Sequence, residues 1–176
     1  SVPPMIQTDF SLNGKIFGIE KGSEPRPKGK EEVQEITITK RFLPLIKSGF
    51  KNQNKLRQFV QGRPLRFSGI AGSYNHFPEK VSLDSYSTSH GWMAWYSGKV
   101  KAPEPGKYRF WGYADNNLLV SINGKAVFEG SRADSNFRNE LKVFRNNHPS
   151  FPCLNSRSGF ARGKWITIGD KPVQID

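Results

Sequence analysis

The fold is decided by residues 92–130, which read WMAWYSGKVKAPEPGKYRFWGYADNNLLVSINGKAVFEG. This stretch holds three of the four tryptophans of the chain and alternates apolar runs with turn residues. Pro103-Glu-Pro-Gly106 predicts a turn, because proline presets φ and glycine accepts the permissive position. Asn123-Gly124, between two apolar runs, predicts a tight β-hairpin. We therefore expect antiparallel strands throughout the stretch.

The strand expected near residues 107–113 has two different faces. Alternation places Tyr108 and Phe110 on one side of the strand. Arg109, Trp111 and Tyr113 then lie on the other side. The rings of Trp111 and Tyr113 are the better candidates for partial exposure and for contact with a ligand. Core packing is the alternative for each aromatic ring of the stretch, and we expect it for Trp95.

Residues 40–60 are the least β-like part of the chain. Pro44 suits the first turn of a short helix, and Gly49 suits its end. Apolar residues recur at helical spacing in the second half of the segment: Leu56, Phe59 and Val60. The sequence predicts one or two short helices here, at about residues 40–60.

Turn signals recur at short intervals along the rest of the chain. Asn13-Gly14 lies between apolar runs and predicts a second hairpin. Residues 165–175 read as a last hairpin around a Gly-Asp turn. Turns this frequent, with 17 glycines and 12 prolines spread along the chain, predict an all-β protein with long loops. The length of 176 residues predicts a single domain that spans residues 1–176.

The formal net charge of +12 is unevenly distributed. Residues 21–66 carry 12 Lys/Arg and 4 Asp/Glu, a net charge of +8, and residues 130–164 carry 7 and 2, a net charge of +5. Residues 67–129 carry 6 and 5, a net charge of +1. Basic flanks attract polyanions such as nucleic acid, acidic polysaccharide or anionic lipid. General surface charge is the alternative, and no motif for specific nucleic-acid binding occurs.

Signals for catalysis and for membrane spanning are missing from the sequence. It has no zinc-protease motif, no Gly-x-Ser-x-Gly elbow and no dinucleotide fingerprint, so we do not expect an enzyme. No run approaches the roughly 20 apolar residues that a transmembrane helix needs. The chain begins at Ser1 without an initiator Met. We expect a monomeric domain, cut from a longer exported protein.

The central stretch resembles the protective-antigen-type domain, also called the PA-fourteen domain. The resemblance rests on these residues: Trp95, Gly98, Ala102-Pro103, Gly106-Lys-Tyr-Arg-Phe110, Asp115-Asn-Asn117, Leu119, Ile122-Asn-Gly124 and Val127. It implies a β-sandwich or barrel of mainly antiparallel strands. Members of this family occur in bacterial adhesins and toxins and attached to glycosidases, and several bind carbohydrate. The resemblance therefore implies a location outside the cytoplasm: extracellular, at the cell surface or periplasmic.

The polar corner, Asp115-Asn116-Asn117, lies where sugar-binding members of that family keep two adjacent aspartates. Those aspartates are joined by a cis peptide bond and hold a calcium ion that bridges to sugar hydroxyls. Here the second carboxylate is an amide, which still offers an oxygen but no charge. The resemblance implies Asp115 and Asn116 as calcium ligands. Asn117, which offers a further oxygen, and the aromatic rings of Trp111 and Tyr113 complete the ligand-binding set that we expect. The alternative is that Asp and Asn serve only as turn residues.

Taken together, these features predict a non-catalytic carbohydrate-binding module that serves adhesion or targets an attached enzyme to polysaccharide. The basic flanks favour an acidic polysaccharide as its partner. A structural or protein–protein interaction module, with the same fold and no sugar or metal binding, is the alternative. The amide at position 116 favours that alternative.

Overall fold

The computed structural model describes residues 12–20, 40, 42–62, 65–67, 92–114, 117–131, 141, 143, 146–148 and 160–176. The chain divides into two compact units, residues 1–98 and residues 99–176. The strand pairs described within each unit are antiparallel. The predicted all-β class is therefore confirmed, with antiparallel sheets.

The first unit is built on one long strand. Its strands are β1 (Leu12–Glu20), β2 (Phe59–Gln61), β3 (Leu65–Phe67) and β4 (Met93–Val100), of which residues 93–98 belong to this unit. Strand β1 pairs with β4 on one edge and with β2 and β3 on the other. The nine residues of β1 thus hold the other three strands of this unit together.

The predicted hairpin at Asn13-Gly14 is wrong, because both residues lie inside β1. Gly14 pairs with Leu65 of β3 on one side and with Tyr96 of β4 on the other. Asn-Gly favours a tight turn only when the chain has nothing better to pair with. Here backbone hydrogen bonds to two neighbouring strands outweigh the local turn preference.

The short helices predicted at about residues 40–60 are confirmed, with a correction at their end. Residues 42–47 are helical, and Gly49 follows with a φ of 63°, in the left-handed region that glycine accepts readily. A 3-10 helix spans Asn54–Gln58, and its C-cap residue, Phe59, is extended. Phe59 therefore begins β2 and does not continue the predicted helix.

Aromatic rings dominate the core of the first unit. The buried cluster consists of these residues: Phe17, Phe42, Leu45, Leu56, Phe59 and Trp95. The rings of Phe42 and Phe59 stack with their centroids 5.0 Å apart. The helical segment at residues 42–47 is thereby packed against β2 through aromatic contact. The core position expected for Trp95 is confirmed, since its exposed fraction is 9%.

The second unit consists of short strands. They are β5 (Gly106–Tyr108), β6 (Trp111–Gly112), β7 (Leu119–Ile122), β8 (Lys125–Glu129), β9 (Asn146–His148), β10 (Phe160–Arg162), β11 (Ile166–Ile168) and β12 (Val173–Ile175). Strand β7 pairs with β8 and β12, and β10 pairs with β6 and β9. Strands β5 and β11 pair with each other.

One of the two hairpins predicted in this unit is confirmed. Asn123 and Gly124 connect β7 to β8 with φ values of 50° and 78°, as a turn with two positive φ angles requires. The last hairpin is wrong, because β11 pairs with β5 while β12 pairs with β7. Both final strands thus find partners more than 50 residues earlier in the chain.

The ring of Phe128 is the centre of packing in the second unit. Its exposed fraction is 1%, and it stacks with the ring of Phe110 at a centroid distance of 6.3 Å. Gly112, Gly130 and Gly163 approach it so closely that an added Cβ would lie 3.6, 3.0 and 3.1 Å from its ring atoms. Because these three positions are glycines, three separate segments of the unit pack closely against the Phe128 ring.

Among the described residues, no helix is both long enough and apolar enough to cross a membrane.

Replacing Gly130 by alanine should destabilise the second unit. The new Cβ would lie 3.0 Å from both the Phe128 ring and the carbonyl oxygen of Gly112, and a backbone atom cannot easily give way. We expect a loss of about 1–3 kcal/mol in the free energy of unfolding, as for other overpacked cores. Urea unfolding of the two proteins measures this loss.

Gly169→Ala is the matched control, because nothing lies within 4 Å of its Cβ position. We expect the control to unfold within about 0.5 kcal/mol of the wild type. Equal stability of the Gly130 and Gly169 variants would contradict the packing described around Phe128.

Candidate functional site

The polar corner of the second unit is fixed at both of its ends. The N–H of Ala114 donates to the carbonyl of Gly130 at 3.3 Å, and the N–H of Leu118 donates to Ser131 Oγ at 2.9 Å. The N–H of Gly130 in turn donates to the carbonyl of Leu118 at 2.9 Å. Asp115 and Asn116 lie outside the described residues, and Asn117 is half-buried. The predicted ligand role of the corner stays a prediction.

A buried polar pair supports the base of this corner. Glu129 and Ser131 have exposed fractions of 2% and 0%, and the N–H of Ser131 donates to Glu129 Oε1 at 2.7 Å. Within the part of the chain that the structure describes, no group of three or more His, Cys, Asp or Glu side chains could hold a metal ion. The proposed calcium ligands, Asp115 and Asn116, fall outside that part.

A second feature of the same unit is a group of two cations and two tryptophans on the surface. We call Arg109, Trp111, Arg162 and Trp165 the Trp–Arg cluster. The guanidinium carbon of Arg109 lies 4.7 Å from the ring centroid of Trp111 and 4.5 Å from that of Trp165. The guanidinium carbon of Arg162 lies 5.7 Å from the ring centroid of Trp111. All three distances are within the range of cation–π attraction.

The cluster is open to solvent through its rings. Trp165 is 59% exposed and Trp111 is 40% exposed, and they are the two exposed large hydrophobic side chains among the described residues. Tyr113, the other predicted aromatic ligand residue, is half-buried. The exposure predicted for Trp111 thus agrees with the structure, and Trp165 offers the larger open ring.

Strand pairing explains why these four side chains meet. Trp111 of β6 pairs directly with Arg162 of β10, so their side chains project from the same face. On the neighbouring ladder, Tyr108 of β5 pairs with Ile166 of β11. If that register continues by one step, Arg109 lies opposite Trp165, as the 4.5 Å contact between them requires.

The register of β6 with β10 and that of β5 with β11 differ by one residue, which is inserted between β10 and β11. From Tyr108 to Trp111 the chain advances by three residues, whereas from Arg162 to Ile166 it advances by four. The N–H of Gly163 donates to the carbonyl of Phe110 at 3.0 Å, so Lys164 and Trp165 together lie opposite Arg109. Side chains three positions apart on a regular strand point to opposite faces. The one-residue bulge therefore brings Arg162 and Trp165 to the same face.

The charged residues of the two segments that carry the cluster are all positive. Residues 106–112 and 160–168 contain four Lys/Arg (Lys107, Arg109, Arg162 and Lys164) and no Asp or Glu. Lys107 and Lys164 are exposed, and the two arginines are half-buried. Within the described part of the chain, the buried Nε of Arg109 has no hydrogen-bond partner. The surface therefore combines open aromatic rings with positively charged side chains.

The sequence predicted Trp111 but missed Arg109, Arg162 and Trp165 as members of one site. Alternation along the strand did place Arg109 beside Trp111, on the face opposite Tyr108 and Phe110. The partners from the end of the chain could have been found only from the pairing of β5 with β11 and of β6 with β10. No local sequence pattern in residues 160–168 predicts that pairing.

The described residues thus define an antiparallel all-β protein with an exposed cationic and aromatic face. No protein-family model, no curated protein and no solved structure matches the chain.

A double-mutant cycle between Arg109 and Trp165 should reveal a favourable interaction. We expect a coupling of about 0.5–1 kcal/mol between Arg109→Gln and Trp165→Leu, as for cation–π pairs at exposed sites. Urea unfolding of the wild type, both single variants and the double variant measures it.

Lys107→Gln combined with Trp165→Leu is the control cycle. Lys107 is an exposed cation on the same segment as Arg109, and it has no ring contact among the described residues. We expect no coupling there beyond about 0.3–0.5 kcal/mol. Equal coupling in the two cycles would mean that Trp165 senses general positive charge and not the Arg109 guanidinium.

Proposed function

We propose that this chain is a non-catalytic carbohydrate-binding module that serves adhesion or targets an attached enzyme to polysaccharide. The observation that carries the proposal is the open indole ring of Trp165, 59% exposed, next to Trp111 at 40%. Exposing large aromatic rings to water is unfavourable, so an exposed pair on one face suggests that a ligand covers it. The apolar C–H face of a pyranose fits an aromatic ring.

The position of the polar corner supports the same proposal. Trp111 precedes Asp115 by only four residues, and the chain between them runs from β6 directly into the corner. The corner would supply oxygen and N–H groups for sugar hydroxyls while the rings cover the apolar sugar face. In this proposal Asp115 and Asn116 hold calcium at the corner, and the protein acts outside the cytoplasm.

A structural or protein-interaction module is the second candidate, and one observation favours it. The ring of Trp111 contacts two guanidinium groups, that of Arg109, two residues earlier in the chain, and that of Arg162 in β10. Such a contact fastens β6 to β10 whether or not a ligand binds. If the cluster served only to hold the strands together, replacing Trp165 would lower the free energy of unfolding. The wild type would then bind no sugar, or the replacement would leave sugar binding unchanged.

Trp165→Ala should remove most of the sugar affinity of the protein. The wild type and the variant would be incubated with a panel of insoluble polysaccharides, and the bound fraction measured with calcium and with EDTA. We expect affinity to fall by about tenfold or more, because loss of a stacked ring costs at least about 1.4 kcal/mol in binding. Trp165→Phe should retain part of the affinity.

Thr167→Ala is the matched control, since Thr167 is an exposed residue of β11, two positions after Trp165. Its binding should equal that of the wild type, and circular dichroism should show all variants folded. Wild-type binding by the Trp165→Ala variant, or no polysaccharide bound by the wild type, would sink the proposal. Loss of binding in EDTA that Asp115→Ala reproduces would support calcium at the corner.

A further inference from the structure

Binding of a neutral sugar does not require the positive charge of the Trp–Arg cluster, because sugar hydroxyls carry no charge. Four positive side chains and no acidic ones lie on residues 106–112 and 160–168. Aromatic rings alone would suffice to cover the apolar face of a neutral pyranose. Two guanidinium groups, those of Arg109 and Arg162, lie beside these rings, and such a pair of cations matches a ligand that carries negative charge.

The geometry of Arg109 leaves it ready to bind an anion. Its guanidinium lies over the rings of Trp111 and Trp165, so the planar faces of the group are used in ring contact. The N–H donors of a guanidinium lie in its plane, so ring contact does not consume them. A carboxylate has two oxygens in one plane and can accept two such N–H bonds at once.

Partial burial of Arg109 strengthens its interaction with a bound anion. The side chain is half-buried, and its Nε is buried without a hydrogen-bond partner among the described residues. Positive charge that has lost part of its hydration gains more from a bound anion than a fully hydrated one does. The guanidinium carbon of Arg162 lies 5.7 Å from the centroid of the Trp111 ring, and Arg162 pairs with Trp111 across the ladder, so it adds a second guanidinium to this face of the sheet.

Among the described residues, the open rings fit a single saccharide unit better than a series of stacked bases. Proteins that bind single strands without sequence preference offer several rings on which successive bases stack. Here two large hydrophobic side chains of the described residues are exposed, and one of them, Trp111, contacts two guanidiniums. Trp165 contacts one, so the cluster has one ring that is mainly open. One ring suits one sugar unit.

We infer that the Trp–Arg cluster binds a uronic acid unit of an acidic polysaccharide. Trp165 covers the C–H face of the sugar, and the in-plane N–H groups of Arg109 and Arg162 bind its carboxylate. This inference rests on the proposed carbohydrate-binding function, for which it names the ligand class and the residues that select it.

Isothermal titration at about 150 mM salt tests the inference with oligogalacturonate and its carboxyl-reduced, neutral counterpart of equal length. We expect the wild type to bind the acidic oligosaccharide at least about tenfold more tightly. Arg109→Lys and Arg162→Lys, which keep the charge but lose the planar fork, should each weaken that binding by about tenfold. The affinity of both variants for the neutral oligosaccharide should fall by less than their affinity for the acidic one, because the neutral ligand has no carboxylate for the fork to bind.

Lys125→Gln is the control, because it removes one charge at the Asn123-Gly124 turn, outside both segments of the cluster. Its affinity for the oligogalacturonate should match that of the wild type. A larger loss in Lys125→Gln than in Arg109→Lys would overturn the inference in favour of net charge alone.

The remaining outcomes separate this inference from the proposed function. Equal affinity for the acidic and neutral oligosaccharides overturns the inference and leaves the proposed function standing. Binding to neither of them, nor to any polysaccharide of the earlier panel, overturns both. Tighter binding of a sulfated oligosaccharide of the same length overturns the carboxylate assignment. Equal or tighter binding of a single-stranded DNA oligomer, with the same dependence on Arg109, shows that the cluster is a nucleic-acid site.

Discussion

The second unit depends on how residues 106–112 pair with residues 160–168. Antiparallel pairing decides which side chains share a face, and a shift by one residue would send each of them to the opposite face. Between the pair Trp111–Arg162 and the pair Tyr108–Ile166, the segment 160–168 has one residue more than the segment 106–112. That bulge keeps Ile168 buried at one end and Ala161 buried at the other. It also brings Arg162 and Trp165 to the same outer face.

The two faces of this strand pair have different functions: the inner face packs in the core, and the outer face carries the Trp–Arg cluster. On the inner face, the rings of Phe110 and Phe128 stack, and glycines allow the surrounding backbone to approach them closely. This packing does not need the outer face to be apolar, so the outer face can hold cations and exposed tryptophans. The outer contacts still add stability, because each cation–π pair at an exposed site contributes about 0.5–1 kcal/mol. A ligand that satisfies Arg109 would therefore bind to a surface that is already ordered.

Local signals predicted much of this fold and only part of its candidate site. Asn123-Gly124 forms the expected turn, and alternation placed Arg109 and Trp111 on the face opposite Phe110. Pairing between distant segments was not predictable, because neither a turn nor a helical spacing in the sequence encodes it. The prediction of a hairpin at Asn13-Gly14 was wrong for the same reason. Both residues pair with β3 on one side and with β4 on the other, and these distant partners are not visible in the local sequence. Trp165 joined the site only through the pairing of β5 with β11.

The most direct test of this account is the environment of the Arg109 side chain in solution. In an isotope-edited NOESY spectrum, the δ protons of Arg109 should show contacts to the indole protons of both Trp111 and Trp165. Ring currents from both indoles should shift those protons upfield of their unfolded-chain positions. Unshifted δ protons without contact to Trp165 would contradict the register, and with it the cationic and aromatic face on which the proposed ligand site is built.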